Sequence, residues 1–336
     1  MACECSWLEA RVFTELAVGA IPRGSAWAAD VQKRLAALAP RVPPSLTGLT
    51  PVAVPRAGGP PTAVTCGGIR LAVDSTGALT SLRLAATAPD WAAASHPLMQ
   101  LSYVTYNKLE SWDTKINLTC SEPGCPNPVD AVWHAQLSGL YHNASGSASG
   151  ACKVVAKSVF SSHLHEDAGA PSTVWTVFTL LPATRAVSVE LTWVGKTATR
   201  LPESFMVDLK PMAPQPGIGW GMDVLNETVR PNETAAGTTN QWQRGVWKGV
   251  QFTDREGLGS NGLYIESYDA GMVCVSTHNL PLRAICYGTL QIACCEYSRS
   301  LQRITRNMLS CWEDPRGYTR NHQLIVTSRP CVTDCL

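Results

Sequence analysis

The chain has 336 residues, 45% of them hydrophobic and 16% charged, with a formal net charge of +1. That apolar content is enough for a sizeable core and excludes disorder throughout. So small a charge excess excludes electrostatic capture by nucleic acid or by an anionic membrane surface.

The first forty residues read as a short helical pair. Leu8, Val12 and Leu16 recur every four positions, with Phe13 and Ala20 widening the apolar face. Pro22-Arg-Gly-Ser25 ends that helix, and Ser25 is placed to cap the next, where Trp27, Val31, Leu35 and Leu38 form a second stripe before Pro40, Pro43 and Pro44. Two helices this short bury too little to stand alone. Residues 41–65 are rich in Pro and Gly and read as a connector.

From Gly67 the period becomes two. Ile69, Leu71 and Val73 alternate with other residues, Asp74-Ser-Thr-Gly77 supplies a turn, and Leu82 and Leu84 start a return strand. Further strands are expected at 101–106, 153–160, 173–181, 186–194, 203–210, 246–252, 262–267 and 272–276. The clearest is 186–194, with Val187, Val189, Leu191 and Trp193 on one face and Ser188, Glu190 and Thr192 on the other. Many strands and few helices predict a mainly β protein, a large antiparallel β-sandwich over 66–297 preceded by the helical pair at 1–40. Residues 298–336 alternate little and are expected to be a divergent tail with little regular structure.

Four N-glycosylation sequons begin at Asn117, Asn143, Asn226 and Asn232, and Asn143–Gly150 is a flexible, low-complexity stretch. There are thirteen cysteines. Cys120-Ser-Glu-Pro-Gly-Cys125 brackets a turn that suits a disulfide, and the odd total leaves at least one thiol unpaired or paired outside the chain. Sequons and cysteines point to the secretory pathway or the extracellular space. The N-terminal residues have neither the basic start nor the apolar run of a signal peptide, so this chain is expected to be a fragment without its leader. No apolar run reaches the roughly 18–20 residues of a membrane-spanning helix.

No nucleophile elbow, zinc-protease helix, P-loop or dinucleotide fingerprint is present. His163-Leu-His165-Glu-Asp167 on a strand would put two imidazoles on one face, but a polar loop is the simpler reading, and no metal or cofactor is expected. Glu203, Asp208, Glu266 and Asp269 lie near strand ends and are read as structural acids, the alternative being a hydrolytic pair. Eleven Trp against five Phe is a skewed ratio. Trp220, Trp242 and Trp247 fall in a Gly-rich polar region, where exposed indoles would stack on the apolar faces of sugar rings. Core packing is the competing reading.

The stretch Leu191-Thr-Trp-Val-Gly-Lys-Thr-Ala-Thr-Arg-Leu-Pro-Glu203-Ser-Phe, followed by Lys210-Pro-Met-Ala-Pro214, resembles the domain-of-unknown-function 5054 family, relatives of the glycoside hydrolase family 38 α-mannosidases. Trp220–Leu225, Gly245–Phe252 and Leu263–Ala270 resemble its following blocks. The resemblance covers about 6–290 in outline. It implies a mutarotase-like supersandwich whose partner is a glycan or a hydrolase barrel. The family's catalytic acids lie in an N-terminal barrel that would precede Met1, so no catalytic residue carries over and no activity is expected of this chain alone. Arg200, Glu203 and Asp269 become structural or interface positions, with an Arg200–Glu203 pair holding a strand junction. A free-standing carbohydrate-binding protein is the alternative.

Overall fold

The computed structural model of the chain describes residues 13, 16–38, 43–106, 129–143, 150–196, 203–213, 219–225, 227–230, 244–253, 262–267, 272–275, 290–296, 313–314 and 317–327. The chain divides into two compact units, Met1–Ser45 and Leu46–Leu336. In the first, α1 (Ala26–Leu38) starts as its sequence predicts: the Ser25 hydroxyl accepts from the Ala28 N–H at 3.1 Å. Phe13, Leu16 and Trp27 are exposed there.

The second unit is built almost wholly of antiparallel strands. Its largest sheet has eleven strands. In spatial order these are β1 (Thr50–Val52), β7 (Gln136–His142), β8 (Cys152–Val159), β9 (Thr173–Leu181), β10 (Ala186–Lys196), β20 (Gly317–Thr327), β16 (Leu263–Ser267), β15 (Gly249–Thr253), β12 (Gly219–Val224) and β13 (Glu227–Val229), with β19 (Glu313–Asp314) paired to β20. A six-stranded sheet runs β14 (Arg244–Gly245), β17 (Met272–Val275), β18 (Leu290–Glu296), β11 (Glu203–Leu209), β5 (Gln100–Thr105) and β6 (Ala131–His134). β2 (Thr62–Cys66), β3 (Ile69–Val73) and β4 (Leu79–Arg83) form a third sheet.

The alternation read at 186–194 decides which face of β10 is buried. Val187, Val189, Leu191 and Trp193 are all buried, opposite Leu180, Phe178, Thr176 and Val174 of β9. Trp193 then meets Phe205 of β11 edge-on at 5.2 Å between ring centroids. Phe160 reaches both Phe205 and Tyr103 of β5, at 6.0 and 5.9 Å. The two large sheets therefore pack face to face, and the protein is an antiparallel β-sandwich with few helices. Leu79, Leu82 and Leu98 close the core beside Val187, Val189, Leu209, Leu263 and Ile265, which line one small apolar cavity.

Three segments differ from their sequence reading. Residues 163–167, read as a polar loop, belong to a short helix, α2 (Ser162–Ala168), capped by the Ser161 hydroxyl and ended by left-handed Gly169. The segment read as a connector contributes β1 and most of β2. The segment read as a divergent tail contributes β20, which lies between β10 and β16. Half of β20 is polar, from Tyr318 to Gln323, so no apolar alternation betrays it; pairing on both edges holds it instead.

Cys66 and Cys152 form a disulfide that ties β2 to β8 across 86 residues of sequence. Cys120 and Cys125, the sequence-based candidates, lie outside the described residues. Among the described residues no helix is long and apolar enough to cross a membrane.

Candidate functional site

Two places combine sequence-predicted residues with distinctive chemistry: a closed centre between the sheets, and an open turn at one sheet end.

The closed centre begins with a bulge. The alternation of β10 would send Lys196 to the same face as Glu190 and Thr192, but the register with β20 shifts between Trp193 and Lys196. Gly195 takes φ +72° there, and a Cβ at that position would lie 2.4 Å from the Ser172 hydroxyl. The bulge turns Lys196 inward. Its ammonium pairs with Glu203 Oε1 and lies 3.4 Å from both the Tyr103 hydroxyl and the Gly169 carbonyl. Tyr103 hydrogen-bonds Glu203 Oε2 and reaches the Ala168 carbonyl at 2.8 Å. Tyr103, Lys196 and Glu203 are all buried. Each charge is thus paired and hydrogen-bonded, the condition under which a buried ion pair is tolerated. Both carboxylate oxygens of Glu203 are engaged from within the protein. Arg200, the expected partner of Glu203, lies outside the described residues; among the described residues Lys196 pairs with Glu203.

Asp208 sits five residues along the same strand and so faces the other side of the sheet. The pairing makes this visible: Tyr103 meets Glu203, whereas its neighbour Ser102 donates to Asp208 Oδ2. Glu203 and Asp208 therefore do not form a hydrolytic pair. Ser102 is also 3.2 Å from Nδ1 of the exposed His134 on β6. A serine, a histidine and an aspartate thus meet, but in an order unlike that of a nucleophile triad. The Ser102 hydroxyl bonds Asp208 directly, whereas in a triad the carboxylate orients the imidazole and does not touch the serine. The chain of bonds fastens the edge strand β6 to β5 and β11.

The open turn joins β14 to β15. Trp247 there is 70% exposed. Its backbone N–H donates to the Asp223 carbonyl on β12 at 2.8 Å, while the Lys248 carbonyl accepts from Ser267 at the end of β16 at 2.9 Å. Gly249 (φ +155°) lets β15 and β16 close beneath the turn, since a Cβ would stand 2.0 Å from the Ile265 carbonyl oxygen. The indole thus projects from a backbone pinned on both sides. Leu225, two residues beyond Asp223, is also exposed. Trp220 is different: its ring is buried 5.0 Å from Phe252, and its Nε1 has no hydrogen-bond partner among the described residues. Trp242 and Asp269 lie outside the described residues, as do Asn117, Asn226 and Asn232. Glu266 is half-buried on β16, opposite Gly249.

Asp90 was not singled out from sequence. Burial alone would raise its pKa. Hydrogen bonds from the Ser81 hydroxyl, the Leu82 and Ala92 amides and the Arg83 side chain outweigh burial and hold the carboxyl below its usual value. It ties β4 to the segment that carries the fully buried Trp91. Among the described residues no group of His, Cys, Asp and Glu is arranged to hold a metal.

No family model matches the chain, and no curated protein matches it. Among solved structures it is similar to an α-mannosidase from Enterococcus faecalis V583, at 11% identity and a TM-score of 0.48, over 83% of this chain and 30% of that one. It is also similar to a candidate aldose 1-epimerase from Escherichia coli K12 (12% identity, TM-score 0.37, 83% and 98% of the two chains). A third likeness is to the Slr1438 protein of Synechocystis sp. PCC 6803 (11% identity, TM-score 0.39, 83% and 99%). The chain thus spans less than a third of the mannosidase's length. Likeness of this degree assigns it neither a family nor an activity.

Proposed function

We propose that this chain is the non-catalytic C-terminal β-sandwich portion, of mutarotase-like type, of a glycoside hydrolase-like, α-mannosidase-like protein. In this reading it supports a sugar-cleaving barrel and meets glycan at Trp247. The observation that supports it most is where the family-like stretch goes. Trp193, Lys196 and Glu203 all turn into the layer between the two large sheets, as residues that hold a scaffold would. Glu203 has both oxygens engaged, which suits a structural acid better than a catalytic one. The disulfide Cys66–Cys152 favours an oxidising compartment, in line with a secreted or secretory-pathway protein.

Sequencing the transcript across both ends of this reading frame tests the support role. An upstream frame encoding an α/β barrel with His and Asp metal ligands is the expected result. A message that starts at Met1 and stops after Leu336 contradicts it.

The exposed indole at Trp247 favours a second reading, a free-standing carbohydrate-binding protein. That reading requires retention of this chain by immobilised mannose-rich glycans together with a transcript that encodes no barrel; passage without retention overturns it.

A further inference from the structure

We propose that Asn143 is an N-glycan acceptor and, through the same side chain, the clamp that closes the β7–β8 hairpin. The proposal is independent of any sugar binding at Trp247. It rests on how the hairpin divides the two ends of one amide. The register of β7 and β8 pairs His142 with Val154, so Asn143 and Lys153 are the next pair outward. The Asn143 N–H donates to the Lys153 carbonyl at 3.2 Å, and Asn143 Oδ1 accepts from the Lys153 N–H at 2.6 Å. The oxygen is therefore engaged by the backbone. Nδ2, the atom to which an N-glycan attaches, makes no hydrogen bond among the described residues, and the residue is half-exposed.

The chemistry fits this division. Nδ2 attacks C1 of an oligosaccharide carried on a lipid pyrophosphate, with an oligosaccharyltransferase as catalyst. The C1–N bond forms, the C1–O bond to phosphate breaks, the lipid pyrophosphate leaves with the electron pair, and one Nδ2 proton passes to the transferase. The product keeps its carbonyl oxygen, so the bond to Lys153 survives modification. Asn143-Ala-Ser145 supplies the sequon.

A second, independent observation lies one residue from the clamp. Cys152, which precedes Lys153, is buried and disulfide-bonded to Cys66. Disulfides persist in the same oxidising compartments through which N-glycosylated proteins pass. Two modifications of the secretory pathway thus converge on one hairpin.

The test is peptide mapping of the full chain secreted from a eukaryotic host behind a leader. Glycans are released by an amidase in heavy-oxygen water, which converts a glycosylated Asn into labelled Asp. The expected result is label at position 143, together with a Cys66–Cys152 linked peptide before reduction. Ser145→Ala should lose that label and the mass of one glycan, with its peptide backbone folding as before. Asn143→Ala should lose the glycan and in addition melt at a lower temperature than Ser145→Ala, because only it removes the clamp. Recovery of the Asn143 peptide wholly unlabelled from folded, disulfide-bonded protein overturns the acceptor role. Equal melting temperatures for the two variants overturn the clamp.

Discussion

The Lys196–Glu203 centre and the Trp247 turn arise from the same device, a glycine that lets backbone pass where a side chain would clash, yet the outcomes are opposite. At Gly195 the glycine permits a bulge that rotates a charge into the interior, where Glu203, Tyr103 and the Gly169 carbonyl surround it. At Gly249 it permits two strands to close, and the turn beyond them holds an aromatic ring out in solvent. One region uses its chemistry to hold layers together; the other leaves its chemistry available. The difference teaches that a residue type suited to a site is not thereby a site residue: its partners decide.

The comparison breaks most visibly at Lys196. Replacing it by Met takes the Lys196 ammonium from the buried Glu203 carboxylate and should lower unfolding free energy by about 3–5 kcal/mol, measured by urea titration. The double variant Lys196→Met/Glu203→Leu should recover most of that loss, because no uncompensated charge remains. A double variant as unstable as the single one would show that the centre matters through something other than charge pairing.

A smaller effect is expected at Gly249. Ala there must push β15 from β16 and should cost about 1–3 kcal/mol, with any glycan retention falling in parallel as the turn shifts. A wild-type unfolding midpoint would remove the case for a pinned turn.

Asp90 gives a pH-dependent contrast. Its folded pKa is lowered, so its stabilisation is present above the unfolded carboxylate value of roughly 3.9 and is lost as pH falls through the lower folded value. Asp90→Asn should therefore be less stable than wild type near neutrality by about 1–2 kcal/mol, and the gap should narrow at the acid end. A gap independent of pH would contradict the assignment.

Trp247→Ala should change stability least, by no more than about 0.5 kcal/mol, because its ring touches solvent more than core.

The strands that alternate cleanly were legible in the sequence, and β10 shows why: one face is buried throughout and the other is polar, so the period of two is written in residue type. β20 was not legible, because its place in the middle of the sheet follows from pairing with β10 and β16 and its own first half is polar. Of the site, Glu203 was legible as an acid held by a cation; Arg200, the cation read from sequence, lies outside the described residues, and Lys196 pairs with Glu203 among them. Lys196 carries no inward signal unless the bulge at Gly195 is seen, and strand periodicity points it outward. Trp220 and Trp247 look alike in sequence. Strand position separates them, since Trp220 falls on the inward face of β12 and Trp247 on the turn before β15. The Cys66–Cys152 bond joins residues far apart in sequence, which no local spacing indicates.

The most direct test of the account is the retention of wild-type chain and Trp247→Ala on immobilised mannose-rich glycans, each checked for an unchanged unfolding curve. The account predicts that wild type is retained and that Trp247→Ala, equally stable, is not. Equal retention of the two would contradict the assignment of Trp247 as the glycan contact.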